Sequence, residues 1–294
     1  MKLGVHTYSL HLSGFGPTDP AGTAIAGKTM DVFGLLEYCK NDLGLDGVHL
    51  TPLCLNVIDL GHMREVGARA KELGLFLEYN YSMDDPYVPQ INLTPDQALD
   101  HCQALGADIA KTSLDLKRPR PLTAHRHHPE VMKVLARRAQ EFRAAGPRAQ
   151  ELGIRFAIEN HTDTYASEIK WLVQQANHPA VGICVDTGNA LFVMEDPVAA
   201  YEILAPGSFT NHFKDYRVDY AQYGARFVGV ALGDGDIDMV KAYNLIKNES
   251  ATDRLIIEVE WDPEGVDPRQ AREDEIQALK RSIDYCRNVL KTGD

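Results

Sequence analysis

At 294 residues, 44% of them apolar and 24% charged, the chain can bury a sizeable core, which excludes a disordered polypeptide and leaves room for an α/β barrel of about 250 residues in one piece. A formal net charge of −12, with no basic stripe interleaved with aromatics, excludes nucleic acid as a partner. The five cysteines are widely spaced without a CxxC pair, MKLGVHTYSL lacks a signal-peptide core, and no run of about 18 apolar residues occurs; a disulfide framework and a membrane partner are excluded, and a cytoplasmic protein is expected.

Short β-rich runs alternate with longer helical patterns along the whole chain, the mark of parallel βαβ units. The strands fall at about Leu3–Ser9, Gly47–Thr51, Leu75–Asn80, Asp108–Ser113, Ile154–Asn160, Val181–Asp186, Phe209–Lys214 and Leu255–Glu260. Helix-period stretches lie between them, among them Met63–Leu73, Pro95–Leu105, Val131–Leu152, Ser167–Ala176 and Asp274–Leu290. Three of these close on a glycine before the next strand, in KELGLFLEY, QALGADIAK and QELGIRFAI, where the left-handed position that ends a helix favours glycine. No linker divides the sequence. A single (β/α)₈ TIM barrel spanning residues 1–294 is therefore expected. Four irregular stretches, Gly14–Lys28, Asp84–Asn92, Asp115–Pro129 and Val218–Gly235, all follow strand C-termini, the face on which such barrels build their sites, and suit a substrate lid.

Alternate residues of a strand point to opposite faces, so the inward set of the fifth strand is Ala157, Glu159 and His161. On the sixth it is Gly182, Cys184 and Asp186, on the seventh Thr210, His212 and Lys214, and on the eighth Ile256, Glu258 and Glu260. Glu159, Asp186 and Glu258 without a cation would be mutually repelling buried carboxylates, at a cost of several kcal/mol or of large pKa shifts. With His212 they make an oxygen-rich set for one divalent metal: Mn²⁺ first, with Mg²⁺, Co²⁺ or Zn²⁺ as substitutes. His161 lies about 6–7 Å along the strand from Glu159, within reach of a metal-bound substrate. Lys214 is placed to hold a substrate oxygen, unless Asp215 or Glu260 engages it in an ion pair; Glu260 shares the face of Glu258, and His6 lines the pocket. The segment from Lys117 to Glu130, KRPRPLTAHRHHPE, reads as a solvated loop. LGDGDID fits neither a P-loop nor an EF-hand and reads as a turn before the last helix.

AIENH, CVDTGN, NHFKD, LGDGDID and IIEVEW, in that order, together with the opening LGVHTYSL and the second-strand DGVHL, resemble the xylose-isomerase-like superfamily of sugar isomerases and epimerases, which includes ketose 3-epimerases, inositol-catabolism dehydratases and the metal subunit of C-glycoside deglycosidases. The resemblance implies Glu159, Asp186, His212 and Glu258 as metal ligands, and Glu159 with Glu258 as the acid/base pair. Asn189 stands where ketose 3-epimerases favour a substrate-binding histidine, and FKDY replaces their arginine-bearing run. The wording is nearer the dehydratase and deglycosidase branches, in which a histidine two residues past the first ligand serves as a base; His161 holds that position.

The function expected is a divalent-metal-dependent isomerase or epimerase that enolises a ketose, a keto-inositol or a 3-keto-glycoside. The alternatives are a dehydratase or deglycosidase lyase using the same chemistry and, in a different class, a non-catalytic sugar-binding barrel. The partner expected is a small sugar-like molecule, with a homo-oligomer or a small partner subunit left open. A metal-dependent nuclease of the same fold would need a histidine-rich trinuclear site and a basic surface, and the sequence offers neither.

Overall fold

The computed structural model describes residues 1–14, 30–55, 57–85, 89–118, 126–263 and 265–293. Eight parallel strands form one sheet: β1 (Lys2–His6), β2 (Gly47–Leu50), β3 (Phe76–Ser82), β4 (Ile109–Ser113), β5 (Arg155–Glu159), β6 (Val181–Asp186), β7 (Ser208–His212) and β10 (Arg254–Ile257). Consecutive strands are neighbours, β10 pairs with β1, and a parallel bridge between Phe213 and Ile257 joins the last edge to β7. Phe213 N–H donates to the Ile256 carbonyl at 2.8 Å and Glu258 N–H to the Phe213 carbonyl at 2.9 Å, so the cylinder closes.

Eight α-helices surround it among the described residues: α1 (Val32–Glu37), α2 (Leu60–Glu72), α3 (Pro95–Leu105), α4 (Pro129–Leu152), α5 (Ala166–Ala176), α6 (Pro197–Leu204), α7 (Met239–Glu249) and α8 (Pro268–Asn288). The three glycine punctuation marks are confirmed: Gly74, Gly106 and Gly153 take φ of 68°, 69° and 68°. The chain is a single (β/α)₈ barrel. Ile109, Ala157 and Cys184 meet inside it, while Phe156 faces outward against Phe142 of α4. No helix among the described residues is long and apolar enough to cross a membrane.

Three readings need correction. Val218–Gly235 is not irregular but largely an antiparallel hairpin, β8 (Asp215–Tyr220) with β9 (Ala225–Val230). Its outer half is exposed on both faces, so the polar–apolar alternation that marks a half-buried strand is missing there. The last barrel strand stops at Ile257, so Glu258 and Glu260 stand on the segment leaving the rim. LGDGDID precedes α7, not the last helix: Asp215 accepts from the backbone N–H of Gly233 (3.0 Å), Gly235 (3.0 Å) and Ile237 (3.3 Å), which ties this turn to the base of the hairpin. Of the stretches expected to form a lid, residues 15–29, 86–88 and 119–125 lie outside the described residues.

Candidate metal centre and active site

Side chains add to the backbone bonds that stitch the C-terminal rim of the barrel. Asp186 N–H donates to Asn160 Oδ1 at 2.7 Å and Asn160 Nδ2 returns a bond to the Asp186 carbonyl at 3.1 Å, locking the end of β5 to that of β6. Thr187 Oγ1 accepts from Lys214 N–H (2.8 Å) and donates to the Lys214 carbonyl (2.6 Å), locking β6 to the segment after β7. Asn211 spans the closing seam, accepting from Ile256 N–H at 3.1 Å and donating to the Arg254 carbonyl at 2.8 Å. These are the neutral letters of AIENH, CVDTGN and NHFKD, and they fix the depth at which the charged letters stand.

Glu159, Asp186, His212 and Glu258 are all buried, and each offers one ligand atom within 4.8 Å of the others. His212 Nδ1 faces the three carboxylates, 2.8 Å from Glu159 Oε1, 3.2 Å from Glu258 Oε2 and 3.8 Å from Asp186 Oδ2. Asp186 Oδ1 is held by the N–H groups of Gly188 (2.8 Å) and Asn189 (2.9 Å), which leaves Oδ2 turned to the centre. Glu159 Oε2, Asp186 Oδ2 and Glu258 Oε2 are buried without a hydrogen bond. Three carboxylates and one imidazole converging in a buried centre make a donor set that fits a hard or borderline divalent cation, with lysine ammonium groups as the only other positive charge facing those oxygens among the described residues.

Two lysines share this charge. Lys111 Nζ lies 2.5 Å from Glu159 Oε2, and Lys214 Nζ lies 3.0 Å from Asp186 Oδ2, 2.9 Å from Glu258 Oε2 and 2.6 Å from Glu260 Oε1. Burial by itself would raise Glu159 and Glu258, yet Lys111 and His212 hold the first, and Lys214 and His212 the second, well below the usual carboxylate range. Asp186 goes the other way: burial pushes it up to about 7, with Lys214 opposing and the neighbouring glutamates adding to the rise. Burial lowers His212, but Glu258 and Glu159 more than offset it and hold the imidazole up at about 9.

The structure also places the remaining expected residues. His161 stands past the end of β5, half-buried in the field of Glu159, Lys111, Lys214 and Glu260, with burial lowering its pKa. Asn189 Oδ1 is 3.5 Å from Lys214 Nζ, and its Nδ2 is buried without a partner. Glu260, its side chain 32% exposed, accepts from the Tyr216 hydroxyl and carries the ion pair with Lys214; Asp215 is engaged by the turn instead. His6 Nδ1 lies 2.9 Å from Glu258 Oε1. The Lys117–Glu130 segment is not wholly solvated: Arg118 is buried, its guanidinium paired with Glu168 and bonded to the Asp163 carbonyl at 2.8 Å.

Sequence reasoning missed Lys111, His49 and Glu78, all buried. The alternation rule that found Glu159 finds them too: Lys111 follows inward Ile109 by two on β4, and strand register sets His49 beside His6 and Glu78.

Residues 41–288 match the family described as xylose isomerase-like TIM barrel. The chain belongs to this family. Within reach of the family likeness, it is 25% identical over 119 residues to the 3-oxo-isoapionate decarboxylase of Pectobacterium atrosepticum, covering 40% of this chain and 43% of that protein. It is 27% identical over 137 residues to the inosose dehydratase of Lacticaseibacillus casei, covering 42% of this chain and 46% of that protein. The matched stretch thus spans less than half the length of either relative. Among family structures, a xylose isomerase-like TIM barrel protein from Mycobacterium smegmatis in complex with magnesium superposes with a TM-score of 0.62 at 19% identity, over 96% of this chain and 97% of that one, a likeness of fold.

Proposed function

We propose that the chain is a divalent-metal-dependent enzyme that enolises a small sugar-like carbonyl compound, as an isomerase or epimerase of a ketose, keto-inositol or 3-keto-glycoside. The observation that carries this reading is the buried convergence of Glu159, Asp186, His212 and Glu258 at the mouth of the barrel. These four would hold the metal, with Mn²⁺ as the first choice. When bound, a divalent ion polarises a carbonyl and makes the adjacent C–H more acidic. The protein does the rest. Glu159, at the end of β5, and Glu258, just past β10, flank the substrate as the acid/base pair: one takes the α-proton as a carboxylate, and the other, having gained a proton of its own before the step, delivers that proton to the opposite face. Electron density moves onto the carbonyl oxygen, where Lys214, held by Glu260, and the unpartnered Nδ2 of Asn189 donate hydrogen bonds. His6 steadies Glu258.

A second reading, elimination, is favoured by His161, half-buried just past β5 in the field of Glu159 and Lys214, and by two curated relatives named as a decarboxylase and a dehydratase. Here His161 takes the proton and a β-substituent leaves. The five free, buried cysteines suit a reducing, cytoplasmic setting. The deciding experiment incubates Mn²⁺-loaded protein in D₂O with free ketoses, inososes and 3-keto-glycosides. Deuterium at the α-carbon with an epimer or isomer as product supports the first reading, and loss of water or aglycone supports the second. The absence of exchange on all three substrate classes refutes both.

A further inference from the structure

His212 uses both ring nitrogens. Nδ1 faces the three carboxylates, while Nε2 points to the opposite side, 3.3 Å from His49 Nδ1. An imidazole that gives its Nδ1 lone pair to a metal carries its proton on Nε2, and that proton needs an acceptor when the ring is buried. His49 is fully buried on β2, in register with His6 on one side and Glu78 on the other. Its ring is clamped edge-on between His6 and His212, with centroids 4.9 Å from each. Glu78 Oε2 comes within 3.4 Å of His49 Nδ1, but that oxygen already accepts from the Thr210 hydroxyl at 2.7 Å, and Glu78 Oε1 accepts from Arg254 at 3.2 Å. The hydrogen bond that His49 Nδ1 makes is the one to His212 Nε2, and with the Nδ1 lone pair directed there the proton of neutral His49 sits on its buried Nε2, which has no hydrogen-bond partner.

We propose that His49 is a positioning residue: its Nδ1 accepts the Nε2–H of His212 and so fixes the tautomer and ring plane in which His212 Nδ1 serves as a metal ligand. This inference rests on the four-residue metal centre described above. Ligand histidines held in this way typically lose about 10–100-fold in metal affinity when the partner is removed.

The test uses the full-length protein and two nearly isosteric substitutions. His49→Asn keeps an acceptor oxygen where Nδ1 stands, whereas His49→Leu keeps the shape without it. Mn²⁺ titration should give the Asn variant an affinity within about threefold of wild type and weaken the Leu variant by about 10–100-fold. Long-range ¹H–¹⁵N spectra of the Mg²⁺-loaded wild-type protein should show His212 protonated on Nε2, slow to exchange, with His49 Nδ1 unprotonated. Equal Mn²⁺ affinity in the Asn and Leu variants, as simple packing predicts, overturns the inference and leaves the metal centre standing. A proton on His212 Nδ1 in the Mg²⁺-loaded form also overturns it, and this spectrum decides the matter if either variant fails to fold. A wild-type chain that binds neither ion overturns the metal centre, and the inference with it.

Discussion

Lys111→Met removes one member of a buried ion pair and leaves Glu159 in place. Lys111 and Glu159 side chains are 4% and 2% exposed and their charged atoms lie 2.5 Å apart, so the remaining carboxylate cannot turn to water. Removing one partner of such a pair costs about 3–5 kcal/mol, and His212, 2.8 Å from Glu159 Oε1, keeps the cost here toward the lower end. With an unfolding entropy of about 2.1 cal/mol/K per residue, 294 residues give about 0.6 kcal/mol per degree, and the substitution should lower Tm by about 5–8 °C. The assay is thermal unfolding in EDTA of the wild type, Lys111→Met, Glu159→Gln and the double variant. The double variant should recover most of the loss, since both charges are then gone. Mn²⁺ should narrow the gap for the single lysine variant, because a divalent ion at the centre supplies positive charge beside Glu159. A fall in Tm below about 1 °C, or a double variant no better than Lys111→Met, would refute the claim that the pair balances its charges in the dry interior.

Metal analysis after Mn²⁺ saturation should find about one ion per chain, reduced in Glu159→Gln and Asp186→Asn; three ions, or none, would contradict a mononuclear centre. Thiol reagents at pH 8 should label none of the five cysteines in the native protein and all of them once it is denatured, since all are buried and burial pushes Cys39 and Cys286 up to about 12; rapid native labelling would show that the core opens easily. Burial pushes the Asp163 carboxyl up from 3.8 to about 6, against the pull of its bond from Leu116 N–H. The folded state therefore holds this proton more tightly than the unfolded one, and its contribution, complete below pH 4, is lost as pH rises through about 6. Asp163→Asn should flatten that part of the stability–pH curve by about 3 kcal/mol; an unchanged curve would mean that Asp163 titrates normally. Asn160→Ala should lower stability by about 1–3 kcal/mol and weaken Mn²⁺ binding, since it leaves Asp186 N–H buried and unpaired. Intact metal affinity in that variant would separate the rim stitching from the site.

The barrel was legible because its two signals, glycine-ended helices and strands ending on inward polar residues, repeat along the chain. The four ligand candidates were legible for the same reason: strand period alone places Glu159, Asp186 and His212 on one face, and no tertiary information is needed. The hairpin was not, since Arg217, Asp219 and Tyr220 face solvent and obey no burial pattern; the Gly224 turn between two short β-rich runs was the one local sign of it. Lys111 and Glu78 were passed over because a lysine or a glutamate in a strand is ordinarily a surface residue. Their burial depends on partners distant in sequence, Glu159 for one and Arg254 for the other. Asn160, Thr187 and Asn211 are uncharged, and what each does depends on the neighbouring strand.

The amide and hydroxyl stitches at Asn160, Thr187 and Asn211 make the rim self-supporting. Because they bind strand ends to one another, Glu159, Asp186 and His212 take their spacing from the rim, and only the first residues beyond the strands, Gly188, Asn189 and Glu258 among them, take part with it. The longer loops beyond them are then free to lengthen, shorten or be exchanged in evolution at little cost to the ring of carboxylates and imidazole beneath. A lineage built on such a rim acquires new substrates by rewriting its loops and need not rebuild its reaction centre each time.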